Sequence, residues 1–133
     1  MQRVLIIDDD PGTLGFLRRG LKLAGFEVRA TGQGGEGLEL LREFHPHLVL
    51  LDRMLVGMDG LEVLRQLRQT HPDLPVVMLT GREAETDEEL PVEAYLIKPI
   101  SFSTLLETVE RLLGNPLSAS PPESDAPRAD PRG

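Results

Sequence analysis

Four apolar runs of the sequence end in side chains that can bind a cation or a phosphate group. These side chains are Asp8, Asp9 and Asp10 after residues 4–7, Asp52 after residues 48–51, Thr80 after residues 76–79 and Lys98 after residues 94–97. Carboxylates bind hard cations, whereas a hydroxyl or an ammonium group can contact an anionic ligand. The pattern indicates metal-assisted chemistry on an anionic ligand, provided that the fold brings these positions together.

Asp8, Asp9 and Asp52 are the candidate metal ligands. Carboxylates that share one site repel one another, and without a cation some of them take up protons. Mg²⁺ suits them, because it prefers oxygen ligands and usually takes one or two carboxylates together with waters and phosphate oxygens. Asp10 has a different expected role, since it precedes Pro11 and the pair is typical of a capped helix start.

The signals at Thr80, Gly81 and Lys98 are weak when each is taken singly. Threonine is common at strand ends, and most lysines are simply solvated. The Thr80 hydroxyl can donate to a phosphate oxygen, Gly81 leaves the backbone bare for close approach, and Lys98 offers a compact positive charge. Their shared position at the ends of predicted strands is what favours a common site.

Five apolar runs predict the strands that position these side chains. They are residues 4–7, 26–30, 48–51, 76–79 and 94–97, and most are continuous, as expected for parallel strands covered on both faces. Segments with helical spacing of apolar residues alternate with them. The alternation predicts a doubly wound α/β sheet with the strand order 2-1-3-4-5. That order brings Asp8 and Asp52 to one topological switch point.

Composition narrows the classes of function. The chain has 133 residues and a formal net charge of −8, which argues against direct binding of nucleic acid because an acidic chain repels phosphate backbones. It has no cysteine, which excludes thiolate sites and suits a reducing cytoplasm. The apolar runs are too short for a signal peptide or a membrane span, so we expect a cytoplasmic protein without membrane contact.

Large apolar side chains are confined almost entirely to residues 1–113. Residues 114–133 hold five of the 11 prolines and one large apolar residue, Leu117. Such a segment cannot bury enough surface to offset the entropy lost on ordering. We therefore expect one domain at residues 1–113 and a disordered, proline-rich tail at residues 114–133.

The chain resembles the receiver domain of response regulators in two-component signalling, in particular single-domain regulators of the chemotaxis type. The motifs that carry the resemblance are VLIIDDDP, LVLLDRMLVGMDGLEVLRQLR, PVVMLTG and YLIKPIS, in the family's order. The resemblance covers about residues 3–113 and implies a flavodoxin-like fold and a switch activated by phosphorylation. It implies a phospho-acceptor that takes part in its own phosphoryl transfer and autodephosphorylation, rather than an enzyme in the ordinary sense.

The resemblance also implies a metal-assisted phosphorylation site. Asp52 matches the phosphorylated aspartate, and Asp8 and Asp9 match the acidic pair that holds Mg²⁺. Met54 matches the position whose backbone carbonyl completes the metal site. The implied donor is the phosphohistidine of a sensor histidine kinase or of a histidine phosphotransfer protein, and the implied output is an effector protein that the sequence does not identify.

Further positions match residues that respond to the phosphoryl group. Thr80, Gly81 and Lys98 match phosphate-contacting positions, and Thr80 and Tyr95 match the two switch residues of the family. The resemblance implies that Thr80 moves to the phosphoryl group and that Tyr95 enters the vacated space. It also implies a cis bond before Pro99.

The sequence departs from the family pattern in three places. Val56 stands where the loop usually has proline, which loosens a turn without removing chemistry, and Arg53 can reach either the acidic pocket or solvent. The stretch between Thr80 and Lys98 is short by about one helical turn. Because residues 82–93 are also acidic, we expect helix 4 of the family to be shortened or replaced by a loop, so the usual output face is not carried over.

Two alternative functions stay open. One is a haloacid-dehalogenase-type phosphatase, because DDDPGT resembles the DxDGT motif of that class, although Pro11 interrupts the spacing and Asp52 would be unused. The other is a receiver-like binding module that acts without phosphorylation, through its acidic segment. The histidines show no metal-site spacing and are predicted to be surface residues without a catalytic role; they are His45, His47 and His71.

Overall fold

Seven strands form in the residues that the computed structural model describes, 1–81 and 91–114. They are β1 (Arg3–Ile7), β2 (Glu27–Thr31), β3 (Leu48–Asp52), β4 (Met54–Leu55), β5 (Met58–Asp59), β6 (Val76–Thr80) and β7 (Ala94–Ile97). Five of them make one parallel sheet in the order β2-β1-β3-β6-β7. The predicted order 2-1-3-4-5 is confirmed, because β4 and β5 form a separate antiparallel pair.

The register of the sheet brings the predicted site residues to one edge. Asp52, the last residue of β3, pairs with Leu79 of β6. Thr80, which follows Leu79 and ends β6, pairs with Ile97 of β7. Asp8 follows β1, whose pairing with β3 ends one residue before Asp52. The carboxyl ends of four strands therefore lie side by side, as expected for an open α/β sheet.

Four helices connect and cover the strands. They are α1 (Pro11–Leu23), α2 (Gly34–Phe44), α3 (Gly60–Thr70) and α4 (Phe102–Leu113). The predicted cap of α1 is confirmed, because the Asp10 carboxylate accepts hydrogen bonds from Thr13 Oγ1 at 2.7 Å and from Thr13 N at 2.9 Å. These bonds hold the pKa of Asp10 below its ordinary value. At the other end of the domain, α4 stops at Gly114, whose φ of 63° is left-handed.

Apolar side chains cover both faces of the sheet, which explains why the strand sequences are continuous rather than alternating. β3 and β6 are buried along their whole length. On one face, Ile6 and Leu50 pack with Leu17 of α1 and Leu105 of α4, and the other face packs against α2 and α3. Each buried side chain of this kind stabilises the fold by about 1.5–3 kcal/mol, so the central strands are firm supports for the site at their ends.

Two predictions fall on residues outside the described part of the chain. The shortened or missing helix concerns residues 82–90, and the disordered tail concerns residues 115–133. Pro91, Val92 and Glu93 are described and are not helical. Among the helices of the described residues, none has the length and apolar character needed to cross a membrane.

Candidate functional site

Three carboxylates meet at the carboxyl ends of β1 and β3. Asp8 and Asp9 follow β1, Asp52 ends β3, and each offers an oxygen that lies within 4.8 Å of the oxygens of the other two. Asp8 and Asp52 are buried, and Asp9 is half-buried. The fold thus brings together the carboxylates that were predicted to share one pocket, with Asp10 turned away as a helix cap.

Each carboxylate is oriented by one backbone N–H group. These hydrogen bonds run from Asp10 N to Asp8 Oδ1 at 2.9 Å, from Val56 N to Asp9 Oδ2 at 2.8 Å and from Met54 N to Asp52 Oδ1 at 3.1 Å. Because each of these bonds uses one oxygen of its carboxylate, the other oxygen of the group can face a positive charge.

Lys98 reaches this cluster from the end of β7. Its Nζ lies 3.0 Å from Asp8 Oδ2 and 3.2 Å from Asp52 Oδ2. The contact with Asp52 has hydrogen-bond geometry, whereas the contact with Asp8 is an ion pair without a directed hydrogen bond. A single ammonium group offsets one of three negative charges, so the cluster keeps an excess of negative charge around it.

The donor set fits a hard divalent cation. Asp8 Oδ2 is buried and accepts no hydrogen bond from the described residues, and the Lys98 ammonium that faces it at 3.0 Å is shared with Asp52, so the charge of this oxygen is incompletely compensated. Three carboxylate oxygens within 4.8 Å of one another supply the type of ligand that Mg²⁺ prefers. Asp8, Asp9 and Asp52 can therefore hold such an ion.

The charges of the cluster shift the proton affinities of its members. Burial raises the pKa of Asp52, and the neighbouring charge of Asp8 raises it further, against the opposing effects of the Met54 N–H group and of Lys98. Burial alone disfavours the ammonium form of Lys98, but the close carboxylates of Asp8 and Asp52 outweigh it and raise the pKa of Lys98. Lys98 is therefore a permanent cation at neutral pH.

Thr80 closes the pocket at the end of β6. Its side chain is buried, and its hydroxyl donates to the carbonyl of Gly81 at 2.7 Å. Its own carbonyl accepts a hydrogen bond from Lys98 N at 2.8 Å, which ties the ends of β6 and β7 together. The hydroxyl is thus turned to its own chain, and it has to rotate before it can donate to a ligand at Asp52.

Tyr95 and Pro99 lie on either side of Lys98. Tyr95 pairs with Met78 in the sheet, is half-buried, and packs against the core on the α2 and α3 face. The Lys98–Pro99 peptide bond is cis. Tyr95 thus packs on the α2 and α3 face of the sheet, three residues before Lys98.

Gly60 was not identified from the sequence, although the site depends on it. A Cβ atom at this position would lie 2.3 Å from the Asp52 carbonyl oxygen and 2.7 Å from the Arg53 carbonyl oxygen. Its N–H group also donates to Arg53 O at 2.8 Å. Only glycine allows the first turn of α3 to approach the phospho-acceptor candidate this closely. The available signal was a glycine directly after Asp59, the cap of that helix.

Val56, predicted only to loosen a turn, contributes a backbone donor to the site. Its side chain is 85% exposed, whereas its N–H group donates to Asp9 Oδ2 at 2.8 Å. A proline at this position would have no N–H group to donate. The departure from the family pattern therefore adds a hydrogen bond to one of the three carboxylates.

The histidines lie away from the acidic cluster. His45 and His47 are exposed beyond the carboxyl end of α2, and His71 is half-buried beyond the carboxyl end of α3. His47 Nδ1 accepts a hydrogen bond from Arg3 N at 2.9 Å, at the opposite end of β1 from Asp8. The surface placement that the sequence predicted is confirmed for His45 and His47, while His71 is partly covered.

Comparison with known proteins gives a consistent set of relatives. The family model of the response regulator receiver domain matches residues 4–110. A protein named response regulator MprA from Mycobacterium sp. strain KMS is 38% identical over 128 residues, which are 93% of this chain and 56% of that protein. The protein of the same name from Mycobacterium leprae is 38% identical over 115 residues, 84% of this chain and 50% of that one. The chain thus spans about half the length of the curated relatives it matches.

Solved structures of similar chains have the same fold. A CheY-like response regulator receiver domain protein from Methanospirillum hungatei has a TM-score of 0.80 at 30% identity, covering 86% of this chain and 94% of that one. The response regulator TrrA from Thermotoga maritima, solved in complex with Mg²⁺ and BeF, has a TM-score of 0.77 at 30% identity, covering 85% of this chain and 100% of that one.

Proposed function

The chain belongs to the response regulator receiver domain family, whose members are switches activated by phosphorylation, and on this premise we propose that Asp52 is its phospho-acceptor. The observation that carries the proposal is the juxtaposition of Asp52 with two further carboxylates and with Lys98 Nζ at 3.2 Å. A carboxylate in this setting has both a partner for the incoming phosphoryl group and a place for the cation that such chemistry needs.

The proposed reaction is a phosphoryl transfer from histidine to aspartate. An oxygen of the Asp52 carboxylate attacks the phosphorus atom of a phosphohistidine on a sensor kinase or a histidine phosphotransfer protein. The P–N bond breaks, its electron pair returns to the imidazole nitrogen, and an aspartyl phosphate forms on Asp52. Receiver domains are in general not classical enzymes, and we propose that this chain takes part only in its own phosphorylation and in the hydrolysis that reverses it.

The proposed ligands of the cation are Asp8, Asp9, Asp52 and the backbone carbonyl of Met54. When bound, Mg²⁺ supplies positive charge that offsets the carboxylates and the transferring phosphoryl group. The buried Asp8 Oδ2, which accepts no hydrogen bond and shares the Lys98 ammonium with Asp52, supports this assignment, as do the backbone N–H groups that orient each carboxylate.

Lys98, Thr80 and Gly81 are the proposed contacts of the phosphoryl group. Lys98 stays protonated because its pKa is raised, so it can pair with a phosphoryl oxygen when Asp52 is modified. Thr80 would rotate its hydroxyl from the Gly81 carbonyl to that group, and Gly81 would let the backbone approach closely. The space that Thr80 leaves would admit Tyr95, which shifts the population of two arrangements of the output face without a change of fold.

Neither alternative function gains support. The dehalogenase-type phosphatase would need Asp8 and Asp10 as a working pair, yet Asp10 is engaged as the cap of α1 and lies outside the carboxylate cluster. A binding module that acts without phosphorylation would keep the same residues, so it is distinguished by experiment. The partners expected from the family are a phosphodonor and an effector protein, and their identities are not specified by the site.

Labelling with small phosphodonors tests the proposal. Phosphoramidate carries a P–N bond of the same class as phosphohistidine, so we expect it to modify the full chain at Asp52 in the presence of Mg²⁺ but not of EDTA. Intact-mass and peptide mass spectrometry would locate the group. Asp73→Asn is the matched control, because Asp73 is an exposed loop carboxylate outside the cluster.

The variant Asp52→Ala decides the assignment. We expect it to take up no phosphoryl group while Asp73→Asn labels like the wild type. Incorporation into Asp52→Ala to the wild-type level would show that the phospho-acceptor is a different residue, and labelling of the wild type that is indifferent to Mg²⁺ would contradict the proposed metal site. No labelling of the wild type would favour a binding module that acts unphosphorylated.

A further inference from the structure

Strand β7 is short, and charged side chains hold its carboxyl end. It has four residues, lies at the edge of the sheet, and within the described residues pairs with β6. Beyond its last residue, Lys98 N donates to Thr80 O at 2.8 Å, and Lys98 Nζ contacts Asp8 and Asp52. This end of the strand is thus tied directly to the acidic cluster.

Glu93 holds the amino end of β7 through hydrogen bonds from both its backbone and its side chain. Its N–H group donates to Val76 O at 2.9 Å, and its carboxylate oxygen Oε1 accepts from Val76 N at 2.7 Å. One residue therefore satisfies both backbone groups of the first residue of β6. The side chain takes the place of a backbone carbonyl, and its charge strengthens the bond that starts the β6–β7 pairing.

Arg68 of α3 fixes this end in turn. Its guanidinium group lies 3.1 Å from Glu93 Oε1, and its side chain is only 14% exposed. The same group donates to four backbone carbonyls around it, at 2.7–3.3 Å, which belong to His71, Pro72, Leu74 and Pro91. A planar group with five N–H donors suits such a set of acceptors, and the partly buried ion pair is held by several bonds at once.

We propose that the Arg68–Glu93 pair is a fixed anchor for β7, so that a charge change at Asp52 displaces this strand from its Lys98 end alone. Within the described residues β7 has one neighbouring strand, and of its two ends only the Lys98 end touches the acidic cluster. With the other end fixed, a pull on Lys98 tilts the strand instead of sliding it. Tyr95, between the two ends, then receives the displacement. The tilting rests on the proposed phosphorylation of Asp52, whereas the anchor does not.

Hydrogen exchange of two amides reads the two ends separately. The Glu93 amide donates to Val76 O, and the Lys98 amide donates to Thr80 O. In the wild-type chain, we expect Mg²⁺ with beryllofluoride, a phosphoryl mimic, to change the exchange rate of the Lys98 amide at least threefold and that of Glu93 by less than about twofold. NMR on the full chain, with and without the mimic, measures both rates.

Arg68→Met keeps the aliphatic stem and removes the guanidinium group. We expect the Glu93 amide to exchange about tenfold faster in this variant without any mimic, because a charge-assisted bond network is lost. When the mimic is added to Arg68→Met, the exchange rates of both the Glu93 and the Lys98 amides should change. Arg65→Met is the matched control, since Arg65 lies three residues earlier on α3, is 62% exposed and pairs with Glu62 of its own helix.

Glu93→Gln is a second variant that tests the anchor if Arg68→Met does not fold. It keeps an acceptor for Val76 N but loses the ion pair with Arg68. We therefore expect the amide of residue 93 to exchange faster than in the wild type, by a smaller factor than in Arg68→Met. The anchor would be overturned if the amide of residue 93 exchanged within about twofold of the wild-type rate in both Arg68→Met and Glu93→Gln, with both variants folded. It would also be overturned if that exchange rate rose equally in Arg65→Met. If the wild type shows no response to the mimic at Lys98, the tilting fails, whereas the proposed phosphorylation is judged by the labelling of Asp52 and the anchor by the unliganded Glu93 rates.

Discussion

The ammonium nitrogen of Lys98 lies 3.2 Å from Asp52 Oδ2, across 46 residues of sequence. Asp8 shares the same ammonium group at 3.0 Å, so one cation serves two buried carboxylates. The arrangement leaves Asp52 with a raised pKa and Lys98 with a raised pKa. A site that concentrates like charges in this way lowers the stability of the metal-free fold, which is a common cost of function.

Asp52→Asn should therefore stabilise the metal-free protein. The folded pKa of Asp52 is raised above the ordinary value of 3.8, so the contribution of this group to stability is full below that value and is lost as pH rises through the folded pKa. We expect a gain of about 1 kcal/mol in the unfolding free energy at pH 7, and a smaller gain near pH 4. Urea unfolding in EDTA at the two pH values measures it.

The control for this prediction is Asp73→Asn. Asp73 is exposed, so its substitution should change the unfolding free energy by less than about 0.5 kcal/mol at both pH values. A loss of stability in Asp52→Asn at pH 7 would mean that the bonds from Met54 and Lys98 outweigh burial and the charge of Asp8.

Val56→Pro should destabilise the protein in EDTA more than in Mg²⁺. The substitution removes the N–H group that donates to Asp9 Oδ2 at 2.8 Å, and it leaves that carboxylate less well compensated when no cation is near. We expect a loss of about 1 kcal/mol in EDTA, reduced at saturating Mg²⁺, from urea unfolding. Val56→Ala keeps the N–H group and should show neither the loss of stability in EDTA nor its reduction by Mg²⁺. Equal losses of unfolding free energy in the two variants would mean that the valine side chain, and not the N–H group, is responsible.

His47 should make stability fall as pH drops below about 6.5. Partial desolvation of the ring, followed by the charges of Arg3 and of the N-terminal amine, lowers the pKa of His47, and its Nδ1 must stay unprotonated to accept from Arg3 N. A depressed folded pKa means that stability is present above the unfolded pKa and is lost as pH falls through the folded one. His47→Asn keeps an acceptor that does not titrate. Its unfolding free energy should fall less steeply than that of the wild type between pH 7 and pH 5; parallel profiles would contradict the prediction.

Gly60→Ala should be strongly destabilising, by about 2–4 kcal/mol. The new methyl group would lie 2.3 Å from the Asp52 carbonyl oxygen, a backbone atom that cannot move aside without shifting the end of β3. Gly35→Ala is the matched control, because Gly35 lies in α2 with no atom within 4 Å of the added Cβ, and it should gain about 0.5–1 kcal/mol. Thermal and urea unfolding compare them, and similar values for the two would refute the close packing at Gly60.

Continuous apolar runs predicted the five strands of the sheet to within about a residue, because strands buried on both faces leave a direct trace in composition. Phe26, predicted within the second strand, lies just before β2, and Asp52 and Thr80 are the last residues of their strands rather than the first residues beyond. The roles of Asp52, Thr80 and Tyr95 in phosphorylation stay predictions, although the fold brings Asp52 and its neighbours into one pocket.

The features that the sequence did not predict depend on the backbone. Val56 contributes its backbone N–H group, and Gly60 contributes the absence of a Cβ atom. Arg68 donates to backbone carbonyls that lie outside its own helix. Hydrophobic period carries no information about such contacts, because it records which face is buried and not which backbone atoms meet. The two-residue strands β4 and β5 are likewise too short to have a period.

The pocket at the strand ends draws its parts from the whole length of the domain. Along the chain, Asp8 follows the first strand of the sheet and Lys98 follows the last strand among the described residues. A nascent chain whose β7 is still inside the exit tunnel holds its carboxylates without their cationic partner, and a proteolytic fragment that ends before β7 is in the same condition. The carboxylates of the cluster therefore gain their cationic partner only after the last strand of the sheet has been added.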